Sequence, residues 1–196
     1  MGIARNIARL IPNGSGLLPN ANIEAVAASK LTGQVPDANA PPGSVIQVVQ
    51  VVKTDVFSST SGTMVDITGL SASITPISAS NRIMAMITIT GGSEAANNLV
   101  DFQLVRNSTA IFLGDTRSGY NRASVGGFRG VYDINGANSF GMSFVDSPAT
   151  TSSTTYKLQA KCEGGTFRIN TNGSNASGNV WSFTAASSII LMEIAA

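Results

Sequence analysis

A short motif repeated near the N-terminus constrains the fold of this chain more than any other feature. The heptapeptide GLLPNAN at residues 16–22 returns as GQVPDAN at residues 33–39. Each copy predicts an extended piece closed by a Pro-Asx turn, because proline fixes its own φ and drives the preceding residue toward extended conformations. Two such units carry too few apolar side chains to bury a core against the entropy of ordering the chain. We therefore expect neighbouring chains to order them.

The composition excludes several classes of partner. The chain has 196 residues, which suffices for one β domain with an appendage. Only 12% of the residues are charged and the formal net charge is +1, so no basic field is available for nucleic acid or an anionic membrane. We expect no nucleic-acid partner and no membrane insertion, and residues 1–11 do not have the pattern of a secretory signal. The single cysteine, Cys162, is predicted to be a small buried hydrophobe in a strand.

Three parts are predicted along the chain. Residues 1–15 form a docking segment with apolar residues at helical spacing, residues 16–43 form an extended two-repeat neck, and residues 44–196 form a β domain. The breaker cluster APPG at residues 40–43 separates the last two. The candidate docking residues are Ile3, Arg5, Ile7, Arg9, Leu10 and Ile11. The candidate neck residues, which neighbouring chains would help to bury, are Leu18, Pro19, Ile23, Val26, Leu31, Val35 and Pro36.

From residue 44 onward, short apolar runs alternate with clusters of Gly, Ser, Thr, Asn and Pro, which is typical of an all-β sandwich or barrel. The predicted strands are 45–52, 64–67, 70–75, 82–90, 99–106, 110–113, 128–134, 140–145, 155–162, 166–170 and 188–194. Two alternating sets predict antiparallel sheets packed on one side, namely Val100, Phe102 and Leu104, and Phe140, Met142 and Phe144. The glycine pairs at 91–92, 126–127 and 164–165 are interpreted as turns because they lack a phosphate-binding spacing.

Two predicted strands do not alternate. The runs IMAMI at residues 83–87 and IILM at residues 189–192 are apolar at both parities, so both of their faces should be covered. One face can line the sandwich core, and another copy of the chain is the most economical cover for the other. The last run ends two residues from the end of the sequence, so we expect its deletion to destroy folding.

The residues offer little for catalysis. The chain has no histidine, and its eleven carboxylates are spread along the sequence, so a general acid and base pair is not indicated, although folding could still form one. We expect no enzyme activity, no cofactor and no metal site. The three Asn-X-Ser/Thr triplets at residues 107, 172 and 175 are interpreted as accidental.

One segment, residues 117–132, is a candidate recognition surface. It combines tyrosine and arginine side chains, which bring planar contact area and hydrogen-bonding groups together. The candidate receptor-binding residues are Arg117, Tyr120, Asn121, Arg122, Arg129 and Tyr132. A long solvated loop between strands also explains the same residues.

The repeat also carries a resemblance to a known family. The segments LLPNAN at 17–22 and ASKLTGQVPDANAPPGSVIQ at 28–47 resemble tail-fibre and related short appendage proteins of tailed bacteriophages, particularly those of marine bacteria and cyanobacteria. The downstream segments DITGLSASITP at 66–76 and VRNSTAI at 105–111 are similar as well. The resemblance implies a homotrimer whose N-terminal segment attaches to the virion and whose distal head is an antiparallel jelly-roll-like β-sandwich. Two repeats make a neck and not a long shaft, which favours a short knob or an adaptor.

These observations together predict a virion structural protein, made in the bacterial host cytoplasm and carried on the particle. Its partners would be itself, as a homotrimer, other tail or capsid proteins through the N-terminus, and a host cell-surface glycan or protein at the head. A lectin-like glycan-binding module is one alternative. A capsid-decorating or adaptor protein with no receptor role is the other.

Overall fold

The computed structural model describes residues 40–95, 98–129, 134–178 and 180–196, with the side chains of 127–129 not described. All of these residues belong to one compact unit, Asp37–Ala196. The predicted docking segment with its six candidate residues lies outside the described residues. So does the predicted neck as far as residue 39, with all seven of its candidate residues.

The described residues form eleven strands and no helix, and every strand pairing is antiparallel. The strands are β1 (Val45–Lys53), β2 (Phe57–Ser59), β3 (Val65–Ile74), β4 (Arg82–Ser93), β5 (Leu99–Arg106), β6 (Thr109–Ile111), β7 (Val125–Arg129), β8 (Asn138–Asp146), β9 (Thr154–Cys162), β10 (Phe167–Ile169) and β11 (Ser187–Ile194).

Two sheets make the sandwich. Sheet A has the order β1-β11-β4-β10-β2, and β8 also pairs with β4. Sheet B has the order β3-β9-β5-β6, and β7 also pairs with β5. The prediction of an all-β, jelly-roll-like antiparallel sandwich is confirmed.

The core lies between the sheets and follows the period of two that a pleated strand imposes. In β9, Tyr156, Leu158, Ala160 and Cys162 are each at most 1% exposed. The ring centroids of Phe102 in sheet B and Phe140 in sheet A are 5.0 Å apart. Cys162 is a buried free thiol, as predicted. The side chains of Phe140, Met142 and Phe144 share the core face of β8, and those of Val100, Phe102 and Leu104 share the core face of β5, also as predicted.

Some predicted boundaries differ from the structure. The predicted strands 64–67 and 70–75 are one strand, β3, because Gly69 adopts a φ of 87° at an irregularity in the pairing between Asp66 and Ser71. The predicted strand 128–134 begins earlier, at Val125. The glycine pairs 91–92 and 126–127 lie in β4 and β7, so interpreting them as turns was wrong. At Gly92 a strand needs glycine because a Cβ would stand 2.5 Å from the backbone nitrogen of Gly173.

Candidate functional site

The outer surface of sheet A carries a continuous patch of apolar side chains. We call it the outer apolar face and define it by Val48, Met84, Met86, Val145, Ile190 and Met192. These residues have the parity opposite to that of the core residues on the same strands.

The register across four strands explains why the outer apolar face is continuous. Val48 on β1 is paired with Met192 on β11, Met192 with Met84 on β4, and Met84 with Val145 on β8. Directly paired residues of an antiparallel sheet project on the same side, so these four form one row. The next row brings Ile190 beside Met86. The two strands predicted to be apolar on both faces, β4 and β11, therefore lie side by side in the middle of the patch.

Three of the six side chains that define the outer apolar face are exposed to solvent. Val48 is 57% exposed, Val145 42% and Met86 38%. With strands about 4.8 Å apart and about 3.3 Å per residue, the patch covers roughly 300 Å². An exposed apolar patch of a few hundred Å² on a single chain is often a contact surface.

The outer surface of sheet B has the opposite chemistry. Lys157 Nζ lies 2.7 Å from Asp66 Oδ2, and Gln159 Nε2 donates to Asp66 Oδ1 at 2.7 Å. These two hydrogen bonds, first that of Lys157, hold the pKa of Asp66 below its usual range. Lys161 lies 3.7 Å from Asp101 and 3.0 Å from Glu163. This face is polar and its charges are paired.

The loop that connects β6 to β7 contains four of the predicted recognition residues. The guanidinium of Arg117 stacks over the ring of Tyr120, 4.1 Å from its centroid. Asn121 donates to Glu163 Oε1 at 2.8 Å, and Arg122 Nε donates to the Gly114 carbonyl at 2.8 Å. Arg117 and Tyr120 thus form one exposed pair, whereas Asn121 and Arg122 use hydrogen bonds to fix the loop.

The side chains of the other two predicted recognition residues are not described. Arg129 ends β7, and its side chain is not described. Tyr132 lies outside the described residues. Recognition by this segment stays a prediction.

A buried polar cluster links the two sheets. Asp146 at the end of β8 accepts two hydrogen bonds from Arg106 Nη1, at 2.9 and 2.8 Å, and one from the Tyr156 hydroxyl at 2.6 Å. Burial, reinforced by the hydrogen bond to Asp146, raises the pKa of Tyr156. All three side chains are used in tying the sheets together, which is a structural role.

The described ranges of the chain are residues 40–95, 98–129, 134–178 and 180–196. They contain no group of three or more His, Cys, Asp or Glu side chains placed to hold a metal ion. They also contain no helix long and apolar enough to cross a membrane.

The loop between β10 and β11, residues 170–186, holds a second exposed cluster that no sequence prediction concerned. Val180 is 89% exposed, Trp181 65% and Phe183 39%. A cleft of about 390 Å³ opens beside them. It is lined by Thr171, Asn175, Ala176, Ser177, Ser182, Phe183 and Thr184. The sequence signal for this cluster is the run Val-Trp-Ser-Phe at residues 180–183, which is mostly apolar within a segment otherwise rich in Ser, Asn and Gly.

The two sheets form an antiparallel β-sandwich domain with two different outer surfaces. The outer surface of sheet B is polar and its charges are paired, whereas that of sheet A is apolar and exposed to solvent.

No protein-family model matches the sequence, and no curated protein matches it. Three solved structures of infectious bursal disease virus are similar in shape over 76% of this chain. They are the Gx strain (13% identity, TM-score 0.40), the VP2 subviral particle (14%, 0.39) and the T13 viral particle (15%, 0.39). The match covers 37%, 38% and 36% of those chains, respectively.

Proposed function

We propose that this chain is a structural subunit of a virus particle, namely a homotrimeric bacteriophage appendage such as a short tail fibre or knob. Its N-terminal segment attaches to other tail or capsid proteins, and its β-sandwich head faces outward for use in host attachment. The observation that carries the proposal is the outer apolar face of sheet A. The resemblance of the repeat segment to phage appendage proteins supplies the kind of particle.

The energetics of the outer apolar face support association of identical chains. Burying roughly 300 Å² of apolar surface at about 25 cal/mol per Å² is worth about 7 kcal/mol. This is of the same order as the cost of about 4–15 kcal/mol for lost translational and rotational freedom. The head face therefore contributes to assembly without being sufficient for tight binding, and the repeats at residues 16–39 supply the remainder. We also propose that the chain has a structural role without enzyme activity or cofactor.

The mass of the full chain in solution tests the assembly. Light scattering at micromolar concentration should give three times the mass of one chain. Val48→Asp and Met86→Asp together should shift the mass toward that of one chain, because both side chains are exposed in the single chain but would be buried between copies. Ser71→Asp, on exposed β3, is the matched control and should leave the mass unchanged. A stable single chain in the unmutated protein overturns the proposal, and a dimer overturns the trimer.

The parent particle tests the virion role. Purified particles labelled with antibodies against the head should show the chain at a defined place on the tail or capsid by electron microscopy. The head antibodies should also reduce adsorption to host cells. Particles that lack the chain would overturn the virion role. Unchanged adsorption with the head saturated would favour the capsid-decorating or adaptor alternative over host attachment.

A further inference from the structure

The 170–186 loop has a rigid base. Asn170 is fully buried, and its amide nitrogen donates to the carbonyl oxygens of Lys53 at 2.8 Å and Asp55 at 3.0 Å. Its side-chain oxygen accepts a hydrogen bond from Ser187 at 2.6 Å. Gly173 lies so close to Ser93 that a Cβ would stand 2.2 Å from the Ser93 carbonyl oxygen. The start of the loop is therefore fixed on the sandwich.

Hydrogen bonds across the loop hold its two arms together. Thr171 Oγ1 donates to the Phe183 carbonyl at 3.1 Å, and Asn172 Nδ2 donates to the Trp181 carbonyl at 3.1 Å. Asn172 Oδ1 in turn accepts from the backbone nitrogen of Asn175 at 3.1 Å. The exposed aromatic residues are thus mounted on an organised loop, and a loop of this kind on a rigid scaffold needs little reordering to bind a ligand.

The lining of the cleft is neutral and rich in hydroxyl groups. Four of its seven lining residues carry a hydroxyl, one carries an amide and none is ionisable. The hydroxyls of Thr171 and Ser182 already donate to backbone carbonyls of the loop, so they are left to accept from a ligand, whereas those of Ser177 and Thr184 can do both. Hydroxyl and amide groups both donate and accept hydrogen bonds. Phe183 adds an aromatic surface to the same lining. The volume of about 390 Å³ lies within the range of about 300–1,000 Å³ found for small-ligand sites.

We propose that this cleft binds an uncharged saccharide ring. A sugar ring presents hydroxyl groups at its edge and C–H groups on its face, and the cleft offers hydroxyl and amide partners together with an aromatic ring. An anionic ligand would find no cation in the lining to offset the loss of its hydration. The proposal does not depend on the trimer, because every lining residue belongs to one chain.

The single tryptophan of the sequence provides the measurement. Trp181 is the only tryptophan and lies beside Ser182, which lines the cleft. Methyl glycosides of glucose, galactose and mannose and free N-acetylglucosamine are titrated into the full chain while its tryptophan fluorescence is followed. At least one should shift the emission in a saturable manner, and sialic acid should not.

Two variants in the cleft and one outside it make the titration specific. Phe183→Ala should weaken binding about tenfold by removing the aromatic surface. Thr184→Val, which keeps the shape but removes an exposed hydroxyl, should weaken it as well even if Phe183→Ala fails to fold. Thr68→Val removes an exposed hydroxyl from β3, outside the cleft, and should leave the affinity unchanged.

Several results would overturn the proposal. These are no response to any of the four neutral sugars, equal binding of sialic acid, or loss of binding in Thr68→Val but not in Phe183→Ala. A change of mass in solution caused by Phe183→Ala or Trp181→Ala would assign the exposed cluster to contact between copies instead. Failure of the trimer prediction leaves the titration unaffected, so the two proposals can fail separately.

Discussion

The outer faces of the two sheets differ in chemistry although the sheets share one core. On sheet B, the charged residues Asp66, Lys157 and Lys161 all have partners of opposite charge, and the face is suited to water. On sheet A, Met84 and Met192 sit side by side in the centre of an apolar row. An antiparallel sheet needs only one apolar face to fold. The second apolar face of sheet A is therefore unnecessary for the fold of a single chain, and its proposed role is association of copies.

The largest expected effect on stability is the difference between substitutions on the two faces of a single strand, β11. Leu191 points into the core and is fully buried, whereas Met192 belongs to the outer apolar face. Leu191→Ala should lower the free energy of unfolding by about 2–5 kcal/mol at any protein concentration. Met192→Ala should cost a dilute single chain less than about 1 kcal/mol but should weaken association of copies.

Urea unfolding of both variants at two protein concentrations checks this contrast. A loss that depends on concentration for Met192→Ala, but not for Leu191→Ala, is expected. Equal losses that are independent of concentration would show that the outer face is part of an ordinary core.

That β4 and β11 are apolar on both faces could be predicted from the sequence, because the absence of alternation is a local property. Most strands could be located for the same reason. The three-residue β2 could not, because Phe57, Ser58 and Ser59 become a strand only by pairing with β10, far away in the sequence.

The surface sites likewise depend on contacts between residues that are far apart in the sequence. The sequence placed Asn121 and Arg122 on a recognition surface, and their hydrogen bonds to Glu163 and Gly114 depend on how the loop folds back. The cleft beside Phe183 requires the buried anchor at Asn170, whose partners come from the end of β1. Neither these hydrogen bonds nor the cleft could be predicted from a local pattern in the sequence.

A smaller effect on the free energy of unfolding is expected when the ion pairs of sheet B are broken. Asp101 Oδ2 is buried without a hydrogen bond, and Lys161 Nζ at 3.7 Å is paired with it. Lys161→Met should cost about 1–3 kcal/mol by leaving that carboxylate without a cation, and adding Asp101→Asn should recover part of the loss. Lys157→Met, on the same strand but in an exposed pair with Asp66, should cost less than about 1 kcal/mol. Chemical denaturation of the three variants beside the unmutated protein measures this, and equal losses for the two lysines would contradict it.

The smallest expected effect is on the dependence of stability on pH in acid. The pKa of Asp66 is lowered in the folded chain by its hydrogen bonds from Lys157 and Gln159, so ionised Asp66 favours folding. Its contribution is complete above the unfolded pKa of about 3.9 and is lost as the pH falls through the lower, folded pKa. Because the carboxylate is half exposed, the gain at pH 6 is below about 1 kcal/mol. Asp66→Asn should therefore lower stability slightly at pH 6 and flatten its decline below pH 4, as followed by urea unfolding between pH 6 and 2.5. Asp115→Asn, in the exposed loop before β7, is the control, and an unchanged acid dependence in Asp66→Asn would mean that this face is merely solvated.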